Sequence, residues 1–193
     1  MDNPIEIVPA IKRLELRKVG CWEHLDLEFL PGLNIITEEG SAVGKTTIFK
    51  AILHSLIPTS PLELRPTPTD GYEQGRVSIE FISLRHSVEL RAPYVNYEAG
   101  EAESPGQAMF RRLGAFLEAA TPTMALLIDE SVAEAFDERY YREAVKMLNA
   151  ARCQVICQIP HRLKMEHFPQ ARIFACVMET SSKVGMKLLQ TGG

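Results

Sequence analysis

The chain has 193 residues, enough for one domain with its own hydrophobic core. Hydrophobic residues make up 46% of it and charged residues 24%, as in ordinary globular proteins, and the formal net charge of −4 excludes a chain that is strongly basic throughout. The N-terminus lacks the basic and apolar regions of a signal peptide, and no apolar run approaches the roughly 18 residues of a membrane helix. We therefore expect a single cytoplasmic domain over residues 1–193 that does not enter a membrane.

The first half of the chain, up to about residue 91, has the pattern of strands around one helix. Alternating apolar and charged residues predict half-buried strands, a short apolar run predicts a buried strand, and apolar residues at helical spacing predict a helix. The predicted strands cover residues 11–19, 25–29 and 33–36, a hairpin covers 74–91, and the helix covers 46–56. Prolines and a glycine predict a loop over residues 58–72.

The second half, from about residue 104, alternates helices and buried strands. It predicts helices over 107–120 and 137–150, buried strands over 124–128 and 154–159, and a closing antiparallel pair over 172–179 and 183–190. This alternation is typical of an α/β fold, here with a mixed sheet and an antiparallel β-subdomain at the N-terminus. The interval between the two halves, about 1–91 and 104–193, is long enough only for a short linker.

The cysteines form no Cys-x-x-Cys pair, which argues against a metal site. Cys153 and Cys157 fall at an even spacing in an apolar, strand-like run, so both would lie on one face of a strand. Cys21 and Cys176 stand apart from them in the sequence. The pattern favours buried, reduced thiols over a disulfide or a metal site.

A glycine-containing segment follows the third predicted strand and opens the first helix, which is the setting of a phosphate-binding loop. There the backbone amides and the positive end of the helix dipole face a bound phosphate. Lys45 would reach the β- and γ-phosphates, and Thr46 would offer its hydroxyl to Mg²⁺. The segment consists of Gly40, Ser41, Ala42, Val43, Gly44, Lys45, Thr46 and Thr47. The alternative is a strand-to-helix turn that binds nothing.

The residues just before the helix depart from the strict pattern Gly-x-x-x-x-Gly-Lys-[Ser/Thr]. Glu39 stands where the first glycine is required, and Gly40 follows one residue late. Glu38 and Glu39 also bring two negative charges toward a bound triphosphate. We expect these carboxylates to repel the nucleotide unless they point away from it.

Two acids end the buried strand predicted at residues 124–128. Ligands bind beyond the carboxyl ends of parallel strands, so Asp129 could hold Mg²⁺, and Glu130 could orient and deprotonate an attacking water. Taken alone, solvated acids at a strand tip are the simpler interpretation. Their occurrence downstream of a lysine-containing loop favours an ATPase instead.

Read together, these segments resemble ABC-type ATPases, and among them the head domains of the SMC, RecF, RecN and SbcC group. Residues 11–37 are similar to the first hairpin of that group, which precedes its phosphate loop. Residues 104–107 are similar to its signature Leu-Ser-Gly-Gly-Gln, with Glu103 in place of the leucine and Pro105 in place of a glycine. Residues 154–161 look like the strand that leads to the group's switch histidine, here His161.

The resemblance implies a two-lobed P-loop NTPase fold of the ABC type that binds ATP and Mg²⁺ and hydrolyses ATP slowly. It implies that His161 contacts the γ-phosphate. It also implies that Ser104, Gly106 and Gln107 face the ATP of a partner subunit in an ATP-dependent, head-to-head homodimer. Work in DNA repair, recombination or chromosome maintenance would follow, with DNA or a DNA-processing protein as a further partner. Without the resemblance, Ser104 is an ordinary helix cap and His161 a structural histidine.

Three departures from the group's pattern leave two other functions open. Glu39 replaces a loop glycine, Pro105 interrupts the signature, and no convincing Q-loop glutamine follows the predicted hairpin. The chain could therefore be a nucleotide-binding scaffold that no longer hydrolyses ATP. It could also be the ATPase subunit of a transporter, although the linker is too short for the helical subdomain that usually docks the membrane partner, as it is for a coiled coil.

Overall fold

The computed structural model describes residues 10–39, 44–56, 76–81, 104–134, 136–159, 165–180 and 183–192. The strands within these ranges are β1 Ile11–Val19, β2 Trp22–Glu28, β3 Leu33–Glu38, β4 Arg76–Phe81, β5 Ala125–Ile128, β6 Gln154–Gln158, β7 Arg172–Thr180 and β8 Lys183–Thr191. The helices are α1 Lys45–Leu56, α2 Pro105–Ala119, α3 Glu130–Glu134 and α4 Glu138–Asn149, with one 3-10 turn at Met165–His167. None of these helices combines the length and the hydrophobicity that a membrane crossing requires.

The first sheet is antiparallel and has the strand order β2-β1-β4. Its apolar side chains alternate with exposed ones along β1, and Leu14 and Leu16 are fully buried. This confirms the predicted antiparallel subdomain. β2 begins at Trp22 and not at the predicted residue 25, because a tight turn with Gly20 at φ +57° brings the chain straight back onto β1. The partner strand predicted in the hairpin 74–91 lies outside the described residues.

The second sheet is mixed and has the order β5-β6-β3-β7-β8. β3 is parallel to both β6 and β7, β5 is parallel to β6, and β8 closes the sheet antiparallel to β7. This confirms the predicted mixed sheet and the closing antiparallel pair. Because β3, β5 and β6 run in the same direction, their carboxyl ends meet at one edge, where ligands bind in such sheets.

The hydrophobic core lies on both faces of the second sheet. On one face, α1 places Ile48 and Ile52 between that sheet and the first one. On the other face, α2 and α4 cover the sheet. The side chain of Gln154 links the two sheets: its Oε1 accepts a hydrogen bond from Ile11 N at 2.9 Å, and its Nε2 donates to the carbonyl oxygens of Ile11 and Leu30, both at 2.8 Å. The first sheet, α1 and one face of the second sheet thus share one cluster of buried side chains, and a second cluster lies on the other face.

The cysteines are free thiols, as the sequence predicts. Cys153, Cys157 and Cys176 are fully buried, and the first two face the same side of the second sheet. Burial raises the pKa of Cys153 to about 11 and that of Cys176 to about 12, which keeps both protonated and unreactive.

The start of α1 packs against Trp22 of the first sheet. Trp22 is buried, with 1% of its surface exposed, and its indole Nε1 donates a hydrogen bond to the carbonyl oxygen of Gly44 at 3.2 Å. Gly44 has φ +125°, a region that favours glycine. A Cβ on Gly44 would lie 2.8 Å from Cζ2 of the indole ring. The tryptophan thus fixes the residue that precedes Lys45.

We expect Gly44→Ala to lower the free energy of unfolding by roughly 1–3 kcal/mol, because the new methyl group meets the indole ring and the backbone leaves its preferred conformation. Gly32→Ala is the matched control, since a Cβ there would have no heavy atom within 4 Å. Urea unfolding followed by the fluorescence of Trp22, the sole tryptophan, measures both variants. Equal stability of the two variants would contradict the proposed contact.

Candidate phosphate-binding site

The lysine predicted to bind phosphate stands at the first position of α1, next to the carboxyl end of β3. A hydrogen bond from Ile48 N to Gly44 O at 3.2 Å begins the helix, so the amides of its first turn have no acceptor within the helix. Gly40, Ser41, Ala42 and Val43 lie outside the described residues. The described part of the segment has the strand-to-helix geometry that the sequence predicts.

Lys45 is buried, with only 4% of its surface exposed, and it is held between two carboxylates. Its Nζ lies 2.8 Å from Oε1 of Glu130 and 2.9 Å from Oε2 of Glu38. Burial lowers the pKa of Lys45, but the hydrogen bonds and negative charges of Glu130 and Glu38 outweigh that effect, and its pKa lies above the ordinary value. The ammonium group is therefore charged at neutral pH. We call Glu38, Lys45 and Glu130 the lysine cluster.

The backbone at Lys45 is fixed from the second sheet. Gln158, the last residue of β6, is buried, and its Nε2 donates a hydrogen bond to the carbonyl oxygen of Lys45 at 2.8 Å. Gln158 was not among the predicted site residues. Its place at the carboxyl end of a buried strand, on the same sheet edge as the predicted loop, is the signal that could have identified it.

The two predicted acids follow β5, at the same edge of the sheet. Both are half-buried. Glu130 belongs to the lysine cluster, while Oδ1 of Asp129 accepts a hydrogen bond from Ser131 N at 3.0 Å. The residues after Asp129 form the short helix α3. Two features favour that helix. The hydrogen bond from Ser131 N to the side chain of Asp129 closes a turn at its start. The negative charge of Glu130 lies at the positive end of the helix dipole.

Threonine residues at the start of α1 face in two directions. Thr46 is exposed, and its hydroxyl is available beside the loop. Thr47 packs against the β1–β2 turn, so closely that a Cβ on Gly20 would lie 2.8 Å from its Cγ2. The exposed hydroxyl of Thr46 and the carboxylate of Asp129 are the hard oxygen donors that suit Mg²⁺, which takes few protein ligands and fills its other positions with phosphate and water.

Glu39 points away from the lysine cluster, whereas Glu38 does not. The carboxylate of Glu39 lies 3.2 Å from Nζ of Lys187 on β8. The two acids that were expected to repel a triphosphate are thus in different environments. Glu39 is paired with Lys187 on the outer strand β8, and Glu38 is paired with Lys45, the lysine predicted to bind phosphate.

The predicted signature residues lie at the start of α2. Ser104 is the N-cap, and its Oγ accepts a hydrogen bond from Gln107 N at 3.3 Å, with proline at the first helical position. Ser104 and Gln107 are exposed, and Gly106 is buried. Among the described residues, the hydrogen bond of Ser104 is made within its own helix and not with the lysine cluster. His161 lies outside the described residues.

No protein-family model matches the chain, and no curated protein matches it in sequence. Among solved structures, the SMC head domain from Thermotoga maritima is similar to it, with a TM-score of 0.55 and 10% sequence identity. The match covers 94% of this chain and 99% of that domain. The likeness extends over nearly the whole of both chains and concerns the fold. The chain therefore has a mixed α/β fold similar to that of an SMC head domain. Its lysine cluster lies at the edge of the second sheet where the carboxyl ends of β3, β5 and β6 meet.

Proposed function

We propose that the chain binds ATP with Mg²⁺ and hydrolyses it slowly. The observation that carries the proposal is the ion pair between Lys45 and Glu130, whose atoms lie 2.8 Å apart although the residues are 85 positions apart in the sequence. The fold brings together a lysine at a helix N-terminus and a carboxylate at a strand end. These are the groups that hold a phosphate and activate a water in phosphoryl transfer.

Different residues at this edge of the sheet would bind the phosphates and the Mg²⁺ ion. The loop Gly40–Thr47 and the first-turn amides of α1 would hold the phosphates, with Lys45 on the β- and γ-phosphates. Thr46 and Asp129 would hold Mg²⁺, which supplies positive charge against the developing negative charge of the phosphates when it is bound. His161 would contact the γ-phosphate.

Glu130 would act as the general base. Its Oε1 accepts a hydrogen bond from the ammonium group of Lys45. Once a phosphate replaces Glu130 as the partner of Lys45, that oxygen of Glu130 can accept a proton from a water molecule. The oxygen of this water attacks the γ-phosphorus, the bond to the bridging oxygen breaks, and ADP leaves with that oxygen. Binding and activation of the base are thereby coupled.

We expect Lys45→Met to weaken the binding of ATP–Mg²⁺ at least about tenfold, because the phosphates lose their only buried ammonium partner in the described site. Glu130→Gln should still bind and should lower kcat about a hundredfold, since an amide cannot accept the proton. Calorimetry measures the binding, and phosphate release measures turnover. Lys187→Met is the matched control, because it removes a lysine beside the same loop that pairs with Glu39 instead.

The signature segment supports a proposal of ATP-dependent dimerisation. Ser104, Gly106 and Gln107 begin a helix whose N-terminus carries positive charge density, which suits the γ-phosphate of an ATP held by a second copy. Two such chains, each two-lobed, would enclose two ATP molecules head to head. Hydrolysis would then release the dimer, because the closed state is favoured only by bound ATP. A role in DNA repair or chromosome maintenance is a further step of the same proposal.

Dimerisation is tested by the mass of Glu130→Gln in solution, measured by light scattering with and without ATP–Mg²⁺. We expect a monomer alone and a dimer with the nucleotide, because the variant binds ATP without consuming it. The variant Glu130→Gln/Lys45→Met should remain a monomer under both conditions. A mass that does not change with ATP in a protein that binds it would rule out the head-to-head mechanism.

The two ion pairs of Lys45 favour a second candidate function, a scaffold that no longer hydrolyses ATP. Glu38 and Glu130 already balance the charge of the ammonium group from within the chain. Phosphate release at the same rate from the wild type and from Glu130→Gln would identify the scaffold.

A further inference from the structure

We propose that Glu38 is an internal competitor for the phosphate-binding lysine and sets the affinity of the site for nucleotides. This inference rests on the function proposed above and concerns the regulation of the same site. Its starting point is the 2.9 Å contact between Oε2 of Glu38 and Nζ of Lys45. The sequence suggested that Glu38 would repel a nucleotide from a distance, whereas the structure shows its carboxylate bound to the phosphate-binding group.

The net charge of the lysine cluster explains why this contact matters. Two carboxylates and one ammonium give a net charge of −1 when all are ionised, in surroundings where Lys45 is only 4% exposed. An incoming triphosphate is itself strongly negative. It must therefore displace an anion from Lys45 and then remain beside that anion, at a distance where charges interact strongly because little water separates them. Removal of the negative charge of Glu38 would make the cluster neutral.

Glu38 cannot leave the lysine cluster by a shift of its backbone, because the end of β3 is hydrogen-bonded to β7. Glu38 is the last residue of β3, in register with Cys176 on β7, and the next amide, Glu39 N, donates a hydrogen bond to Cys176 O at 3.0 Å. The anchored backbone leaves only a rotation of the side chain as a way out. About a fifth of that side chain, 21%, is exposed, which gives the carboxylate a path toward solvent.

The two carboxylates of the cluster have different roles once a phosphate has displaced them from Lys45. Glu130 then acts as the base of the proposed hydrolysis. Glu38 comes from the strand that leads into the loop, so its carboxylate stays next to the phosphates with no such use. It acts as a displaceable stand-in for phosphate, and it raises the nucleotide concentration that the site requires.

The test compares Glu38→Gln with Glu39→Gln. Both variants remove one negative charge before the loop, but Glu39 pairs with Lys187 and not with Lys45. Calorimetric titration with ATP–Mg²⁺, and separately with tripolyphosphate–Mg²⁺, measures the affinity of each variant and of the wild type. We expect Glu38→Gln to bind both ligands about tenfold tighter than the wild type, and Glu39→Gln to bind within about twofold of it.

Tighter binding separates this role from a structural one, because a variant that merely loosened the site would bind more weakly. Glu38→Ala is the second variant, and it should tighten binding in the same direction if Glu38→Gln folds poorly. Lys45 keeps Glu130 as a partner in both. Unchanged or weaker binding by the Glu38 variants, in a protein whose wild type binds ATP, overturns the inference and leaves the proposed function intact. Failure of every chain, the Glu38 variants included, to bind either ligand overturns both.

Discussion

The buried ammonium group of Lys45 is the constraint on which this edge of the molecule depends. A lysine with 4% of its surface exposed requires anionic partners, because an uncompensated charge in such a place costs several kcal/mol. The fold supplies them from two separate elements, Glu38 at the end of β3 and Glu130 at the start of α3. The helix that carries the lysine, the central strand and the edge strand β5 are thereby held at one point. A phosphate bound there replaces one set of anions by another without exposing the lysine.

Two buried side chains fix the backbone around Lys45, whereas the ion-pair partners of its side chain are less buried. Trp22 holds the carbonyl oxygen of Gly44 from the first sheet, and Gln158 holds that of Lys45 from the second. Both side chains are almost fully buried, so neither can follow a ligand. The exchangeable parts are the half-buried carboxylates of Glu38 and Glu130. In the proposed function, this division between a fixed support and replaceable anions would let a phosphate exchange with a carboxylate while Lys45 stays in place.

Much of the fold could be predicted from the pattern of apolar residues. β1 has the predicted bounds because apolar and charged residues alternate along it. The buried strands β5 and β6 could be located because β5 is entirely apolar and the centre of β6 is apolar. The edge at which Lys45 and Glu130 meet could also be predicted, since it follows from the order of strands and helices in an α/β fold. The five residues of α3 could not, because one turn and a half of helix is too short for a helical period to show.

The pairing of Glu38 could not be predicted from the sequence, because a carboxylate before a phosphate loop is expected only to repel. Its contact depends on where β3 ends relative to the first turn of α1, a matter of a single residue, since Glu39 turns to Lys187 instead. The support by Trp22 depends on the packing of two segments 22 residues apart. Such contacts depend on how distant segments pack in three dimensions. Each is made by a single residue, so it leaves no repeating pattern in the sequence.

The most direct test of the central claim is the crystal structure of Glu130→Gln with ATP and Mg²⁺, in which the distance from Lys45 Nζ to its partners is measured. The account predicts that the phosphates contact Lys45 and the first-turn amides of α1, and that the carboxylate of Glu38 has moved out of hydrogen-bond distance. A nucleotide bound elsewhere, with Lys45 still in contact with Glu38 and residue 130, would contradict it.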